Sequence, residues 1–400
     1  LTTTDIPFTR SPTVLPRLAE TEIELPAAPK PPDKQRFPLL AMIAPLVMGA
    51  VMFLTTRNPL SVVFVALSPI LIIGNYIDQK LRSRQQLRDA MLVFESNLER
   101  IRQELRAAHE KERAALMTIH PSVTDSWLSA ASLGSVLWWR RAEHPQFLQL
   151  RLGLGEIAPH VVPKLPSARE GLADCEARLT AAAAEFAVLD DAPVIADLRS
   201  CGSLGLCGDA AVLEGVARGI VVELICMHSP AEVSVACLTS RVGLSRWRWL
   251  QWTPHTSSPH SPLSGVHLAS DAATGELLLA QLEELVDARA GSPAPAPRGP
   301  VSDEEQVQQP TLPSVVVIVD EVTVDQPRLT RIAERGPDVG VHLIWCAASR
   351  SGIPAACRSY LEVAPAGSLV GQVRQGETTT PVRVESIDAS VADQLGRILS

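Results

Sequence analysis

Lysine all but disappears from this 400-residue sequence after Lys111; Lys164 is the only one in the rest of the chain. The phosphate-cradling pattern G-x-x-x-x-G-K-[ST] is missing altogether. No segment therefore brings a lysine for β- and γ-phosphates together with a hydroxyl for Mg²⁺. There is no C-x-x-C pair either. The seven cysteines (175, 201, 207, 226, 237, 346 and 357) are odd in number and scattered, so they read as reduced core thiols and not as a disulfide framework or zinc site. A net charge of -8 argues against a dedicated nucleic-acid binder. No catalytic triad or paired-carboxylate constellation stands out. The sequence begins at Leu1 without an initiating Met and ends at Ser400 without an obvious tail, as a fragment of a longer protein would.

Charge is nearly absent from residues 37–77, where Arg57 is the only charged side chain and lies in the polar break Thr55-Thr56-Arg57-Asn58-Pro59. A span of about 20 apolar residues matches the ~30 Å hydrocarbon core of a bilayer. Two such spans in succession predict a transmembrane hairpin, with helices over about 37–56 and 59–77, whose backbone satisfies itself internally. The other reading is a buried hydrophobic hairpin in a soluble core, but such helices rarely run this long without a charged face. Lys34 and Arg36 before the hairpin, and Lys80, Arg82, Arg84 and Arg88 after it, predict that both flanks are cytoplasmic.

Ahead of the hairpin, residues 1–36 carry seven prolines and little periodicity, which predicts an extended cytoplasmic arm. Behind it, residues 78–121 read as a stalk helix closed by His120-Pro121. Leu87, Met91, Phe94, Leu98, Ile101, Leu105 and Ala108 recur every 3.5 residues on average, a narrow seam suited to another subunit. The competing reading folds the helix back on its own domain. Residues 122–400 then alternate strand-like and helix-like patterns, which predicts an α/β domain of P-loop-NTPase type with a largely parallel sheet. Candidate strands are 147–152, 194–198, 203–207, 232–238, 314–319, 341–346, 359–363 and 381–384. Candidate helices are 169–188, 210–227, 272–289, 326–335 and 388–399. Residues 291–313, rich in Pro, Ala and acid, read as a disordered insertion.

The sharpest chemical signal is Val315-Val316-Val317-Ile318-Val319-Asp320-Glu321. A buried strand ending in Asp-Glu suits a Walker B segment, with Asp320 toward Mg²⁺ and Glu321 polarising a water. The matching cradle position is Leu204-Gly205-Leu206-Cys207-Gly208-Asp209, where a strand runs straight into a helix. Asp209 at the helix start would cap it and repel a phosphate, so Gly205, Gly208 and Asp209 read as a phosphate cradle that has been lost. Trp247-Arg248-Trp249-Leu250-Gln251-Trp252 could stack on bases, and His255, His260 and His267 could be offered to a metal. Loop packing onto a core is the simpler reading of both.

These pieces together resemble the amino-terminal part of the EccC family, FtsK/SpoIIIE-like ATPases of type VII (ESX) secretion systems. The resemblance rests on the arm Phe8-x-Arg10-x-Pro12 with Glu24-Leu25-Pro26, on His120-Pro121, and on Trp139-x-Arg141 with Phe147-Leu148 and Arg151-x-Gly153-x-Gly155. It rests further on Gly208-Asp209-x-x-Val212-x-x-x-x-Arg218, His228-Ser229-Pro230 and Trp247-x-Trp249-x-x-Trp252-x-Pro254-His255. It implies a degenerate FtsK-like cytoplasmic domain that binds no cofactor itself, with ATP and Mg²⁺ handled by downstream modules. It also implies a multi-pass inner-membrane location in contact with lipid, and partners of the EccB, EccD and EccE type. The cargo implied is WXG100 or PE/PPE helical-hairpin proteins. The expected role is to anchor the motor subunit and relay nucleotide-driven movement. The alternatives are a non-catalytic scaffold or an FtsK-like DNA translocase.

Overall fold

A computed structural model of the chain describes residues 14–32, 43, 47, 48, 51, 60–167, 170–265, 267–291, 311–321, 324–365 and 367–400. The strands begin with β1 (Thr21–Glu24), β2 (Gln149–Ile157), β3 (Val161–Lys164) and β4 (Leu189–Asp197). They continue with β5 (Leu204–Gly208), β6 (Val233–Leu238), β7 (Leu268–Ala269) and β8 (Ser314–Asp320). The last four are β9 (Val341–Ala347), β10 (Ser359–Val363), β11 (Val370–Gln375) and β12 (Thr378–Arg383). The longer helices are α1 (Leu60–Ile119), α2 (Val123–Ala131), α3 (Ala173–Glu185) and α4 (Ala210–Met227), then α5 (Ala272–Ala290), α6 (Gln326–Arg335) and α7 (Ala389–Leu399). They form two compact units, one of residues 1–18, 113–158 and 189–400, the other of residues 19–112 and 159–188.

The larger unit is built on a ten-stranded sheet in the order β4-β2-β12-β11-β10-β5-β9-β8-β6-β7. From β10 to β7 every pairing is parallel. Strands such as β8 are apolar on both sides because both faces are covered. Val316 and Ile318 join the core packed around α4, whereas Val315, Val317 and Val319 pack with side chains of α5 and α6. From β10 to β4 the pairings are antiparallel, so the sheet is mixed and the expectation of a largely parallel one is corrected. The turn Gly376-Glu377, with Gly376 at φ 58, reverses β11 into β12 in two residues, a geometry that favours glycine. Neighbours β5 and β9 send the chain in opposite directions, to β6 and to β10. That switch point leaves a crevice at their carboxyl ends.

A buried polar network ties this unit together. Arg140 and Glu223 are both fully buried and pair at 3.2 Å. The Arg140 guanidinium also donates to the Gln149 carbonyl, to Ile119 O at 3.2 Å and toward His120 Nδ1 at 3.1 Å. The second Glu223 oxygen accepts from Arg151 N–H at 2.8 Å. Arg151 in turn donates to His120 O at 2.7 Å and pairs with Glu385, which accepts from Val123 N–H at 2.8 Å. Burial pushes the Glu223 carboxyl up and the Arg140 guanidinium down, and each partner opposes the other's shift. Nearby, His228 Nε2 accepts from Leu148 N–H at 3.0 Å while its Nδ1 faces Leu224 O at 2.9 Å, which fixes a neutral ring. His255 Nε2 donates to His228 O at 2.8 Å.

In the smaller unit, α1 contributes residues 60–112. The expected two-helix transmembrane hairpin, with the multi-pass inner-membrane location that followed from it, is corrected here. No helix among the described residues is long and apolar enough to cross a membrane. The second expected span and the stalk are one continuous helix, and charged residues enter it from Asp78 onward. The first expected span, 37–56, lies almost wholly outside the described residues, as do 1–13 of the arm and 292–310 of the insertion. The stalk seam is corrected too. Phe94, Leu98, Ile101 and Leu105 are buried in one cluster with Leu25 of the arm and with Cys175, Leu179, Ala182 and Phe186, so the seam closes within its own unit. Beside Leu25, β1 pairs in parallel with β3, and Lys164 pairs with Glu22 at 2.5 Å.

Two predictions follow from the network. Arg140→Met leaves Glu223 buried without its cation, a loss of about 3–5 kcal/mol, and Arg140→Met with Glu223→Leu should recover much of it. Chemical denaturation measures both, and equal losses in the single and double variants would refute the coupling. Burial pushes His120 and His228 down to about 3 and His255 to about 4. The unfolded chain takes up those protons near the usual 6.5, so stability is complete above that pH and falls as pH drops toward the folded values. Each ring contributes roughly 1.4 kcal/mol per pH unit in that window. Urea midpoints should fall between about pH 6.5 and pH 4; a flat profile would contradict the assignment.

Candidate functional site

The crevice at the switch point collects the chain ends that the sequence singles out. Gly208 closes β5 at φ 128, and a Cβ there would lie 2.3 Å from Val363 O, so the approach of β10 requires glycine. Asp209 follows at once as the N-cap of α4, its Oδ1 accepting from Ala211 N–H at 3.1 Å. One residue thus separates strand from helix, and the first-turn N–H groups face a fixed carboxylate. Gly205 lies outside the crevice, within β5, where a Cβ would come within 2.7 Å of Ile353.

Asp320 closes β8 and Glu321 turns the chain away at φ 51, a left-handed conformation costing about 1–3 kcal/mol for a non-glycine residue. Between them and α4 stands Arg246, carried on the segment after β6. Its guanidinium reaches Glu214 of α4 at 3.0 Å, Asp320 at 3.3 Å and Glu321 at 2.7 Å. Trp247 Nε1 donates to Asp320 at 2.7 Å, and Ser240 Oγ donates to Glu321 at 3.2 Å. Burial pushes the Asp320 carboxyl up, against Trp247 and Arg246, which hold it down. The hydrogen bond to Arg246 holds Glu321 below the usual carboxylate range. Burial works against the Arg246 charge, but the three carboxylates outweigh it and keep the guanidinium firmly protonated. What remains open is a cavity of about 270 Å³ with walls from Ala210, Leu213, Trp345 and Ala347.

The residues present do not fit Mg-ATP. Lysine and hydroxyl are missing after Gly208-Asp209, and one Asp320 carboxylate oxygen is already held by Trp247 Nε1 and paired with Arg246. The other sequence candidates lie elsewhere. Trp249 is buried in the core, and Trp252 sits 4.8 Å from the Arg397 guanidinium. His255 is tied to His228, and His267 Nε2 lies 2.8 Å from Ser261 Oγ. Among the described residues no group of His, Cys, Asp and Glu is arranged to hold a metal. Arg246 and Glu214 escape sequence reasoning, because the contact joins residues 32 apart with no local pattern. The only signal was the position of Arg246 directly before the tryptophan cluster.

Fold and crevice together define an α/β domain with a large mixed sheet and its own arginine at the switch point. No family model matches the sequence. By direct comparison the chain is a homologue of EccC-type ESX secretion proteins, so the resemblance carried by its motifs holds. It is 28% identical over 258 residues to ESX secretion system protein EccC of Thermomonospora curvata, covering 61% of this chain and 19% of that protein. EccC of Geobacillus thermodenitrificans is 22% identical over 359 residues, 86% of this chain and 23% of the relative. ESX-4 secretion system protein EccC4 of Mycobacterium tuberculosis is 30% identical over 154 residues, 38% of this chain and 12% of the relative. The chain thus spans about a fifth of the length of the first two relatives. Among solved structures, EssC (ATPases 2 and 3) from Geobacillus thermodenitrificans aligns at a TM-score of 0.43 and 13% identity, over 66% of this chain and 50% of that one. The cytoplasmic domain of Thermomonospora curvata EccC aligns at 0.40 and 16%, over 66% and 30%.

If Arg246 is the counter-ion of this crevice, Arg246→Ala leaves three carboxylates converging on one point. A hard divalent cation can then bridge them. The variant should melt lower than the parent and regain several degrees in millimolar Mg²⁺ or Ca²⁺, whereas the parent should not respond. Equal responses in a thermal melt would overturn the assignment.

Proposed function

We propose that this chain is an ATPase-like but nucleotide-independent part of the motor subunit of an ESX (type VII) secretion system. In this reading it passes on movements driven by ATP hydrolysis in FtsK-like modules during export of helical-hairpin substrates. The observation that carries it is the Arg246 guanidinium held among Glu214, Asp320 and Glu321, where a nucleotide-bound metal would need those oxygens. An internal cation makes the charge state of the crevice independent of nucleotide, which suits a part that responds to its neighbours. Homology to EccC-type proteins supports the secretion setting. Partners in this reading are the other subunits of such a complex.

Calorimetric titration with Mg-ATP tests the nucleotide half of the proposal. No binding heat is expected, and a micromolar dissociation constant abolished by Asp320→Ala would overturn it. The relay half is tested in an assembled ESX complex carrying Arg246→Ala. ATP turnover and secretion should change while subunit composition is retained. Unchanged turnover and secretion would leave a scaffold as the better description.

A further inference from the structure

On one side of the antiparallel half of the sheet, alternate residues enter the main core: Leu361, Val363, Val373, Val382, Leu152 and Val194. The opposite face carries a cross-strand row in which Val370 pairs with Arg383, Arg383 with Leu154 and Leu154 with Pro193. Val370 is 47% exposed there. An antiparallel sheet tolerates one wet face, so exposure alone means little. This face, however, is hollowed into a groove of about 720 Å³ with a floor that includes Leu154, Val370 and Pro381. Its rim carries Glu156, Asp190, Asp191 and Glu362. Only Asp191 has an ion-pair partner among the described residues, Arg383 at 3.2 Å. Four carboxylates against two guanidinium groups, Arg383 and Arg113, whose Nε donates to Asp190 O at 2.9 Å, leave an excess of two negative charges around an apolar floor.

We infer that this groove is a docking site for a segment of a partner protein that alternates basic and apolar side chains. The apolar floor calls for burial, and the rim calls for lysine or arginine on either side of it. Phosphates of nucleic acid or of anionic lipid would meet repulsion here, and a second copy of this chain brings a net charge of -8 to the encounter. The inference does not depend on the crevice at Arg246, which is built from other residues. The adjacent edge strand β4 does not compete by β-augmentation, since Asp190, Asp191, Pro193 and Asp197 protect it.

The test titrates the full chain into a dye-labelled short peptide of alternating Arg and Leu and follows anisotropy at low and high salt. The peptide should bind, more weakly as salt rises. The exposed double substitution Glu156→Gln with Glu362→Gln should weaken it about tenfold, or roughly 1.4 kcal/mol. Glu334→Gln with Asp338→Asn, at exposed acidic positions around the end of α6, should leave binding unchanged. Equal loss in that second pair, or equal binding of a Glu-Leu peptide, would show nonspecific association and overturn the site. Sedimentation revealing self-association that Glu156→Gln with Glu362→Gln abolishes would instead assign the groove to a second copy.

Discussion

The larger unit depends on one interaction, the fully buried pair of Arg140 and Glu223. Taking both charges out of water costs several kcal/mol per ion, and their attraction repays it only when the remaining donors and acceptors are used. Here they are. The guanidinium takes the carbonyls of Ile119 and Gln149, and the carboxylate takes the Arg151 N–H. The end of α1, the start of β2 and the middle of α4 therefore meet at one point, and a slip of β2 by one residue would strand buried charge. His120, Phe147, Arg151 and His228, four of the residues that carry the family resemblance, gather around the same point. His120 lies against Arg140, Arg151 joins Glu385, and Phe147 packs edge-on to His228 at 5.3 Å. Those residues are framework, which is why they identify the fold without identifying a ligand.

The crevice answers a different electrostatic problem. A switch point offers a helix start and strand ends to any ligand. In this chain the helix start is capped by Asp209 and the strand end is bonded to Trp247. Arg246 then satisfies carboxylates from two elements of the unit and is itself 15% exposed. Screening is weaker at such a site than on the surface, so the three contacts bind α4 and the end of β8 to the segment after β6. The left-handed Glu321 places its carboxylate 2.7 Å from the Arg246 guanidinium, so the strain is offset by that ion pair.

Much of the parallel half was legible. Periodicity placed α4 and α6 at their observed bounds, 210–227 and 326–335, and found β8, β9 and β10 within a residue. The antiparallel half was legible in part: candidate strands 147–152, 194–198 and 381–384 overlap β2, β4 and β12, while β11 was missed. Strand β11 reads Val-Gly-Gln-Val-Arg-Gln, and with one face wet and a glycine inside it carries too little apolar signal. Helix α2 is only nine residues long and lay hidden in a tryptophan-rich loop. The two carboxylates of the site were visible as the end of an apolar strand. Their counter-ion was not, because Trp247 and its neighbour reach Asp320 across 73 residues and only the tertiary fold brings them together.

The stalk seam shows a limit of a different kind. A 3.5-residue repeat specifies that a helix has a partner, not whose partner it is. Leu98, Ile101 and Leu105 need a complementary stripe about one helix wide, and α3 supplies one in Cys175, Leu179, Ala182 and Phe186, with spacings of 4, 3 and 4. That second seam was as readable as the first. Small Cys175, its Sγ 3.6 Å from Met91 Sδ, and small Ala182 share the cluster with bulky Phe94 and Leu98, as a close helix pair requires, since bulk on one side must meet space on the other. When two matching seams lie in one chain and a connection can join them, closure within the molecule avoids the entropy of bringing two molecules together. The helix therefore closes on its own unit first, and any surface it offers to other subunits must come from its remaining faces.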